Sequence, residues 1–240
     1  ALKRFRERNI HNLIINNQKV AIITYTNAAC DEIKRRLEFD QAFAVSTIHS
    51  FSWELIKPYT ADIKIWLKCQ LKSDIVELEE AQQRGRAGTK AAEDRPRQIA
   101  SKKKRLESLK QIKQFTYNPN SNNTSRDSLS HTEVLSITAF FLENKPLLQE
   151  IFVRKFPILL IDESQDTKKE LIDAFFKVQD NCSDRFSLGL FGDTMQRIYT
   201  DGKTDLGTNV PESWSTPSKR INYRCPQRVI TLINKIRESV

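Results

Sequence analysis

Two adjacent carboxylates, Asp162 and Glu163, follow the apolar run Ile158-Leu159-Leu160-Ile161 and precede Ser164-Gln165-Asp166-Thr167. One carboxylate of such a pair can hold Mg²⁺, directly or through its water shell, while its neighbour takes a proton from an attacking water. The apolar run is too short for a helix and reads as a strand buried on both faces of a parallel sheet. In open α/β sheets ligands bind beyond the carboxyl ends of the strands, which is where these acids fall. An isolated Asp-Glu pair could equally be a polar turn, and the flanking Gln165, Asp166 and Thr167 tilt the reading toward chemistry.

Other side chains could join them. Ser187-Leu188-Gly189-Leu190-Phe191 reads as a second short buried strand ending at Gly192-Asp193, with Gln196 just beyond it. An amide can bond both a phosphate oxygen and an attacking water, although Gln196 could also simply cap a loop. Earlier, the β-rich run Val20 to Thr26 stops at Asn27, which can cap the next helix. Asp31 and Glu32 suit that helix's first turn, Lys34, Arg35 and Arg36 suit its later part, and Ala29, Ile33 and Leu37 share its buried face. The junction exposes Thr26 and Asn27, whose hydroxyl and amide, with free helix N–H groups, can donate to phosphate, and Tyr25 offers a face to a base. The plain alternative is a helix cap and a core tyrosine. A short strand at Phe43-Ala44-Val45-Ser46 runs into Thr47-Ile48-His49-Ser50-Phe51. Nothing near His49 makes it a catalytic base or a metal ligand, and His131 and His11 are read as structural.

These blocks resemble, in order, the motifs of UvrD/Rep-like helicases, motors that walk along single-stranded DNA. The run Asp162 to Thr167 looks like the nucleotide-hydrolysis motif; Thr24-Tyr25-Thr26-Asn27-Ala28-Ala29, Thr47 to Phe51, Gly192-Asp193-Thr194-Met195-Gln196-Arg197-Ile198-Tyr199 and Asn222-Tyr223-Arg224 resemble successive others. Residues between Tyr59 and Ser130 carry none of it. The resemblance implies an α/β fold, a RecA-like P-loop NTPase lobe with a parallel sheet, plus an all-α inserted subdomain. It implies ATP and Mg²⁺ as ligands, with Asp162 and Glu163 handling metal and water and Gln196 sensing the γ-phosphate. Tyr223 would stack on adenine and Arg224 would act as a cis arginine finger, a use that suits a guanidinium. Tyr25, Thr26, Asn27, Thr47, His49, Ser50 and Tyr199 would lie on the single strand. Movement along it would run 3′ to 5′, on single-stranded DNA or a 3′-tailed duplex.

Between these blocks the chain changes character. Leu71, Ile75 and Leu78 mark one helix, Gly85 and Gly88 break it, and Ile99, Leu106, Leu109 and Ile112 mark another that carries Lys102-Lys103-Lys104-Arg105. That basic run could meet DNA phosphates or form a solvated face. Asn118-Pro119-Asn120-Ser121-Asn122-Asn123-Thr124-Ser125 is the strongest loop signal, read as a mobile loop or a subdomain edge. Two helices should follow, one with Val134, Ile137 and Phe141 inward, the next opening at Pro146. A helix carrying Leu171, Ile172, Phe175 and Phe176 should then pack on the sheet. At the front, Leu2, Phe5, Ile10, Leu13 and Ile14 give a basic amphipathic helix, and at the back another runs through Val229, Leu232, Ile233 and Ile236. The expected domains are 1–62 and 131–240 as two parts of the lobe, with 63–130 as the helical insertion.

The 240 residues can bury a sizeable core, and 39 basic against 30 acidic side chains leave a formal charge of +9, which favours a polyanionic partner. Four cysteines without metal-like spacing suit a reducing compartment, and no apolar run could span a bilayer, so a cytoplasmic protein is the default. The absence of an initial Met and an unfinished final helix suggest a piece of a longer protein.

Two departures from the family stand out. Gly202-Lys203-Thr204 imitates the end of a P-loop, but Arg197 stands where its first glycine should be and no strand precedes it. The family's P-loop would precede the helix near Ala1, so this stretch by itself should bind ATP poorly and hydrolyse none. Asp201 occupies a position where many relatives have tryptophan, which weakens the case for unwinding more than for translocation. Two readings result: the front motor lobe of an ATP-dependent DNA helicase, or a DNA-binding scaffold that kept the lobe and recruits a nuclease or another protein. Four retained site residues, Asp162, Glu163, Gln196 and Arg224, favour the motor. DNA repair, plasmid maintenance and phage defence all remain open as pathways.

Overall fold

The computed structural model describes residues 2–85, 88–120, 123, 125–193, 196, 214–217 and 225–238. It comprises two units, Ala1–Thr204 and Asp205–Val240. The described residues of the first unit form four parallel strands, β1 (Val20–Thr24), β2 (Phe43–Thr47), β3 (Ile158–Ile161) and β4 (Ser187–Leu190), in the order β2-β1-β3-β4. Val20 pairs with Phe43 on one side and Ile158 on the other, and Ile158 pairs with Ser187, so the strand ends are nearly level. All the carboxyl ends therefore share one sheet edge.

The alternation along the strands divides the core. Val20, Ile22, Phe43, Val45, Ile158 and Leu160 point to one face, where they meet Leu13 of α1 (Leu2–Ile15), Ile33 of α2 (Asn27–Arg36) and Leu37, which caps the carboxyl end of α2. On the opposite face, Ile23, Leu159 and Ile161 are fully buried, and an aromatic cluster supplies the packing there. Phe51 of α3 (Ile48–Ile56) meets Phe152 of α7 (Pro146–Lys155), which meets Phe175 of α8 (Lys169–Asn181) at 6.0 Å and Phe186 at 5.4 Å between ring centres. Burying each such aromatic or aliphatic side chain is worth about 1.5–3 kcal/mol.

α4 (Thr60–Arg84) and α5 (Lys90–Ser108) form an antiparallel hairpin: Arg95, early in α5, bonds Gln82 near the end of α4, while Lys102 and Lys103, later in α5, pair further back with Asp74 and Glu79. Its root shares a core with α3 and α6 (His131–Asn144): Trp53, Ile63, Leu67, Leu109, Phe115, Val134 and Phe141 belong to one cluster. α6 starts with a complete capping box, in which Ser130 Oγ accepts from Glu133 N–H and the Glu133 carboxylate accepts from Ser130 N–H. Val134, Ile137 and Phe141 are buried and Pro146 opens α7, as expected. The second unit contains α9 (Gln227–Glu238), the expected terminal helix.

Several local expectations change. The strand buried on both faces is β1, whose five residues are all buried, whereas Ile158 and Leu160 of β3 stay partly exposed. β4, like β2, is an edge strand of the described sheet, and Ser187 is exposed, since a strand paired on one side has less to cover it. Thr26, not Asn27, caps α2, accepting from Ala29 N–H at 3.2 Å, so the helix's first turn contains no acid and Asp31 falls beyond it. Ile14 is 68% exposed, one step off the buried stripe of α1. The asparagine-rich loop is organised by its own amides: Asn123 Nδ2 donates to Asn118 O, and Asn118 Oδ1 accepts from Asn120 N–H, each at 2.9 Å. In the basic run, Lys102, Lys103 and Arg105 are each paired with an acid.

Candidate functional site

The chain leaves β1 toward β2 at one edge and returns to pair β3 on the other side of β1, so the winding reverses between β1 and β3. Crevices for ligands open beyond the carboxyl ends of strands at such a switch point. Asp162 is the first residue past β3, and its N–H donates to Ile23 O at 2.7 Å. Level with it, Thr24 ends β1; it is 1% exposed, and its hydroxyl has no hydrogen-bond partner among the described residues. A buried polar group left so costs about 1–3 kcal/mol, which suits a position completed by a ligand or its water.

Glu163 follows with φ of 54° and ψ of 41°, a left-handed backbone that turns its exposed side chain away from the strand line. The 3₁₀ turn Ser164–Asp166 then places Gln165 under the carboxylates. Gln165 is 1% exposed; its Nε2 donates to Glu163 Oε2 at 2.7 Å and to Asp166 Oδ2 at 3.2 Å, while its Oε1 accepts from Asp193 N–H at 3.2 Å. Ser164 N–H donates to Phe191 O at 2.9 Å, fastening the same turn to the end of β4. Gly192 is required here by close approach, since a Cβ would lie 2.2 Å from Gln165 Oε1 and 2.9 Å from Ser164 Oγ. Gln196 is exposed, with its Nε2 donating to Asp193 Oδ2 at 2.8 Å. Thus Glu163, next to Asp162, and Gln196, distant in sequence, are linked through Gln165 and Asp193.

The donors here are hard oxygens. Among the described residues no group of three or more His, Cys, Asp or Glu side chains could hold a metal ion. Mg²⁺ habitually takes one or two carboxylates and fills its octahedron with water and substrate phosphate oxygens, so Asp162, Glu163 and the Thr24 hydroxyl fit an ion that arrives with a nucleotide.

A second group lies at the ends of β1 and β2. Thr26 and Asn27 are exposed, and Asn27 Nδ2 donates to Asn120 Oδ1 at 2.8 Å. Thr47 is buried; its hydroxyl caps α3 by accepting from Ser50 N–H at 3.2 Å and donates to Ser50 Oγ at 2.9 Å. Tyr25 meets His49 edge to face at 6.0 Å between ring centres, and His49 meets His131 at 5.2 Å. Tyr117 closes the row, with its hydroxyl 2.6 Å from His131 Nδ1. Burial, with His131 close by, pulls the His49 imidazole down to about 4, so it is neutral near pH 7. Burial also pushes the Tyr117 phenol up to about 12, which keeps its proton available for a hydrogen bond with His131.

Tyr199, Tyr223 and Arg224, with Asp201 and Gly202 to Thr204, lie outside the described residues. Sequence reasoning missed the unpaired hydroxyl of Thr24, the linking role of Gln165, and the approach of Asn120, Tyr117 and His131 to the second group. Thr24 and Gln165 stood inside recognised blocks, so a signal existed for them; nothing in the spacing announced the other three.

A parallel, doubly wound sheet with paired acids at its switch point defines an α/β lobe of the RecA-like kind. Residues 5–200 match the family model of the UvrD/REP helicase N-terminal domain, and the chain belongs to that family. It is also similar to the Gabija protein GajB of Bacillus cereus (strain HuB5-5), 27% identical over 290 aligned positions covering 92% of this chain and 42% of that protein. The chain therefore spans less than half the length of this relative. It is a helicase-family motor lobe, and none of its described helices is long and apolar enough to cross a membrane.

Proposed function

We propose that this chain is the front lobe of an ATP-dependent motor that moves 3′ to 5′ along single-stranded DNA. The observation that carries the reading is the junction of Asp162, Glu163 and, through Gln165 and Asp193, Gln196 at the reversal point of the sheet. Asp162 would hold Mg²⁺, with the Thr24 hydroxyl beside it. The ion, when bound with ATP, neutralises charge on the phosphates. Glu163 would take the proton from the attacking water, and Gln165 keeps that carboxylate aimed. Gln196 would bond the γ-phosphate, Arg224 would stabilise charge building on it, and Tyr223 would stack on adenine. Tyr25, Thr26, Asn27, Thr47, His49, Ser50 and Tyr199 would form the track, and residues 63–130 a helical insertion between the two parts of the lobe, 1–62 and 131–240. Thr47 would act there by capping α3 and so placing His49 and Ser50, since its own hydroxyl is already committed to Ser50.

Residues 1–240 include no complete G-x-x-x-x-G-K-[ST] phosphate cradle, so this stretch by itself should not hydrolyse ATP. The similarity to GajB supports a place for the full-length protein in a system of the Gabija kind.

The test is steady-state ATPase activity of the full-length protein with and without single-stranded DNA, beside Glu163→Gln. We expect stimulation by the strand and a loss of about 10²–10⁴-fold in the variant, the usual worth of a general base. A full-length protein that binds the strand but shows no ATPase would instead establish a scaffold.

A further inference from the structure

Outside the strand-end site, a polar recess of about 340 Å³ opens between α5, the asparagine-rich loop and the start of α6. Ser101, Ser108 and Ser125 line it together with Lys104 and Arg126. Its other charges cancel, because the Arg105 guanidinium grips the Glu133 carboxylate at 2.6 and 3.0 Å. Lys104 and Arg126 make no ion pair among the described residues, unlike Lys102 and Lys103 on the same run, which pair with Asp74 and Glu79. The Ser108 hydroxyl donates to Arg105 O at 2.8 Å, which leaves two uncompensated cations and the hydroxyls of Ser101 and Ser125 as a donor set for a phosphate group.

The recess adjoins the candidate track by two independent routes. Asn123 lines the recess and donates to Asn118 O; Asn118 Oδ1 accepts from Asn120 N–H, and Asn120 Oδ1 accepts from Asn27. Ser130 also lines it, and the next residue, His131, packs on His49. A recess without an aromatic wall offers a base nothing to stack on, which disfavours a free nucleotide and favours a sugar-phosphate backbone.

We propose that Lys104 and Arg126 hold backbone phosphate of the strand that runs over Asn27 and His49, extending the track onto the insertion. This rests on the single-strand reading above. The recess would add affinity without sequence preference, and it would be reached only by a strand long enough to leave the strand-end junction.

The experiment is fluorescence anisotropy of the full-length protein with labelled oligothymidylates of about 5 and about 15 nucleotides, bracketing a usual single-strand footprint, over a range of salt. Lys104→Glu/Arg126→Glu should weaken the longer strand about tenfold or more, leave the shorter within about twofold, and make the log-affinity against log-salt line shallower by about 1.4, from 0.7 for each of two lost phosphate contacts. Lys103→Glu, at a cation already paired, should change neither strand by more than about twofold. Melting curves of both variants establish that they are folded. Equal affinity and equal slope for wild type and the double variant would overturn the proposal, as would an equal effect from Lys103→Glu. Asn27→Ala separates the two readings: if it binds as wild type while the double variant is weakened, the track falls and the recess stands as a phosphate site. If the wild-type full-length protein binds neither strand, both readings fall.

Discussion

Glu163 is held at a positive φ with a full side chain, a conformation that costs about 1–3 kcal/mol and persists only where its surroundings impose it. Those surroundings are the Ser164 bond to Phe191 O and the Gln165 amide, which donates to Glu163 and Asp166 while accepting from Asp193. Gln165→Glu keeps the acceptor toward Asp193 N–H but replaces the donor with a third carboxylate. The like charges repel, so Glu163 should lose the donor that aims it, and the DNA-stimulated ATPase rate of the full-length protein should fall while its melting temperature stays near that of the wild type. A fall in rate matched by a fall in melting temperature would assign Gln165 to folding alone. The acids themselves were legible as residue types at a strand end. The left-handed turn was not, because Glu is a poor candidate for that backbone and only the finished contacts stabilise it.

At the scale of elements, the helices with strong periodicity were legible because each has a single apolar stripe with a firm stop: α6 between Ser130 and Lys145, α7 from Pro146, α8 over Leu171 to Phe175. Burial of the strands was harder to read, since four apolar residues look alike in a central strand and in one whose helical cover is incomplete. Helix α3 escaped notice because Thr47 to Phe51 drew attention as a recognition block, although Thr47 is its cap. The hairpin of α4 and α5 depends on its root. Leu67 is 1% exposed and shares a cluster with Phe141, Val134 and Trp53, so Leu67→Ala should destabilise the chain by about 2–5 kcal/mol in chemical denaturation. A loss below about 1 kcal/mol would mean that the hairpin root is not part of the cooperative core.

For the whole molecule, strand order explains why blocks separated by more than a hundred residues of sequence meet. A parallel sheet ordered β2-β1-β3-β4 brings Thr24, Thr47, Asp162 and Gly192 to one edge, and no local pattern encodes that order. The same closure joins β1, α3 and α6 through Tyr25, His49 and His131, which makes acid stability a property of the assembled fold. His49 is held at about 4 against an ordinary 6.5, by burial first and by His131 second. Between those values the unfolded chain binds a proton at this residue that the folded chain refuses, so stability rises with pH across the window. It should be unaffected by His49 above pH 6.5 and fall as pH drops from 6.5 toward 4. The slope is at most about 1.4 kcal/mol per pH unit for one proton, and less here because the ring is only part-buried and water screens it. Denaturation of wild type and His49→Gln between pH 6.5 and 5 confines the comparison to a range above the usual carboxylate values. The variant should lose stability less steeply than wild type as acid is added. Parallel slopes would mean that His49 takes up its proton in the folded state as readily as in the unfolded one, and that the row of rings from Tyr25 to Tyr117 admits water.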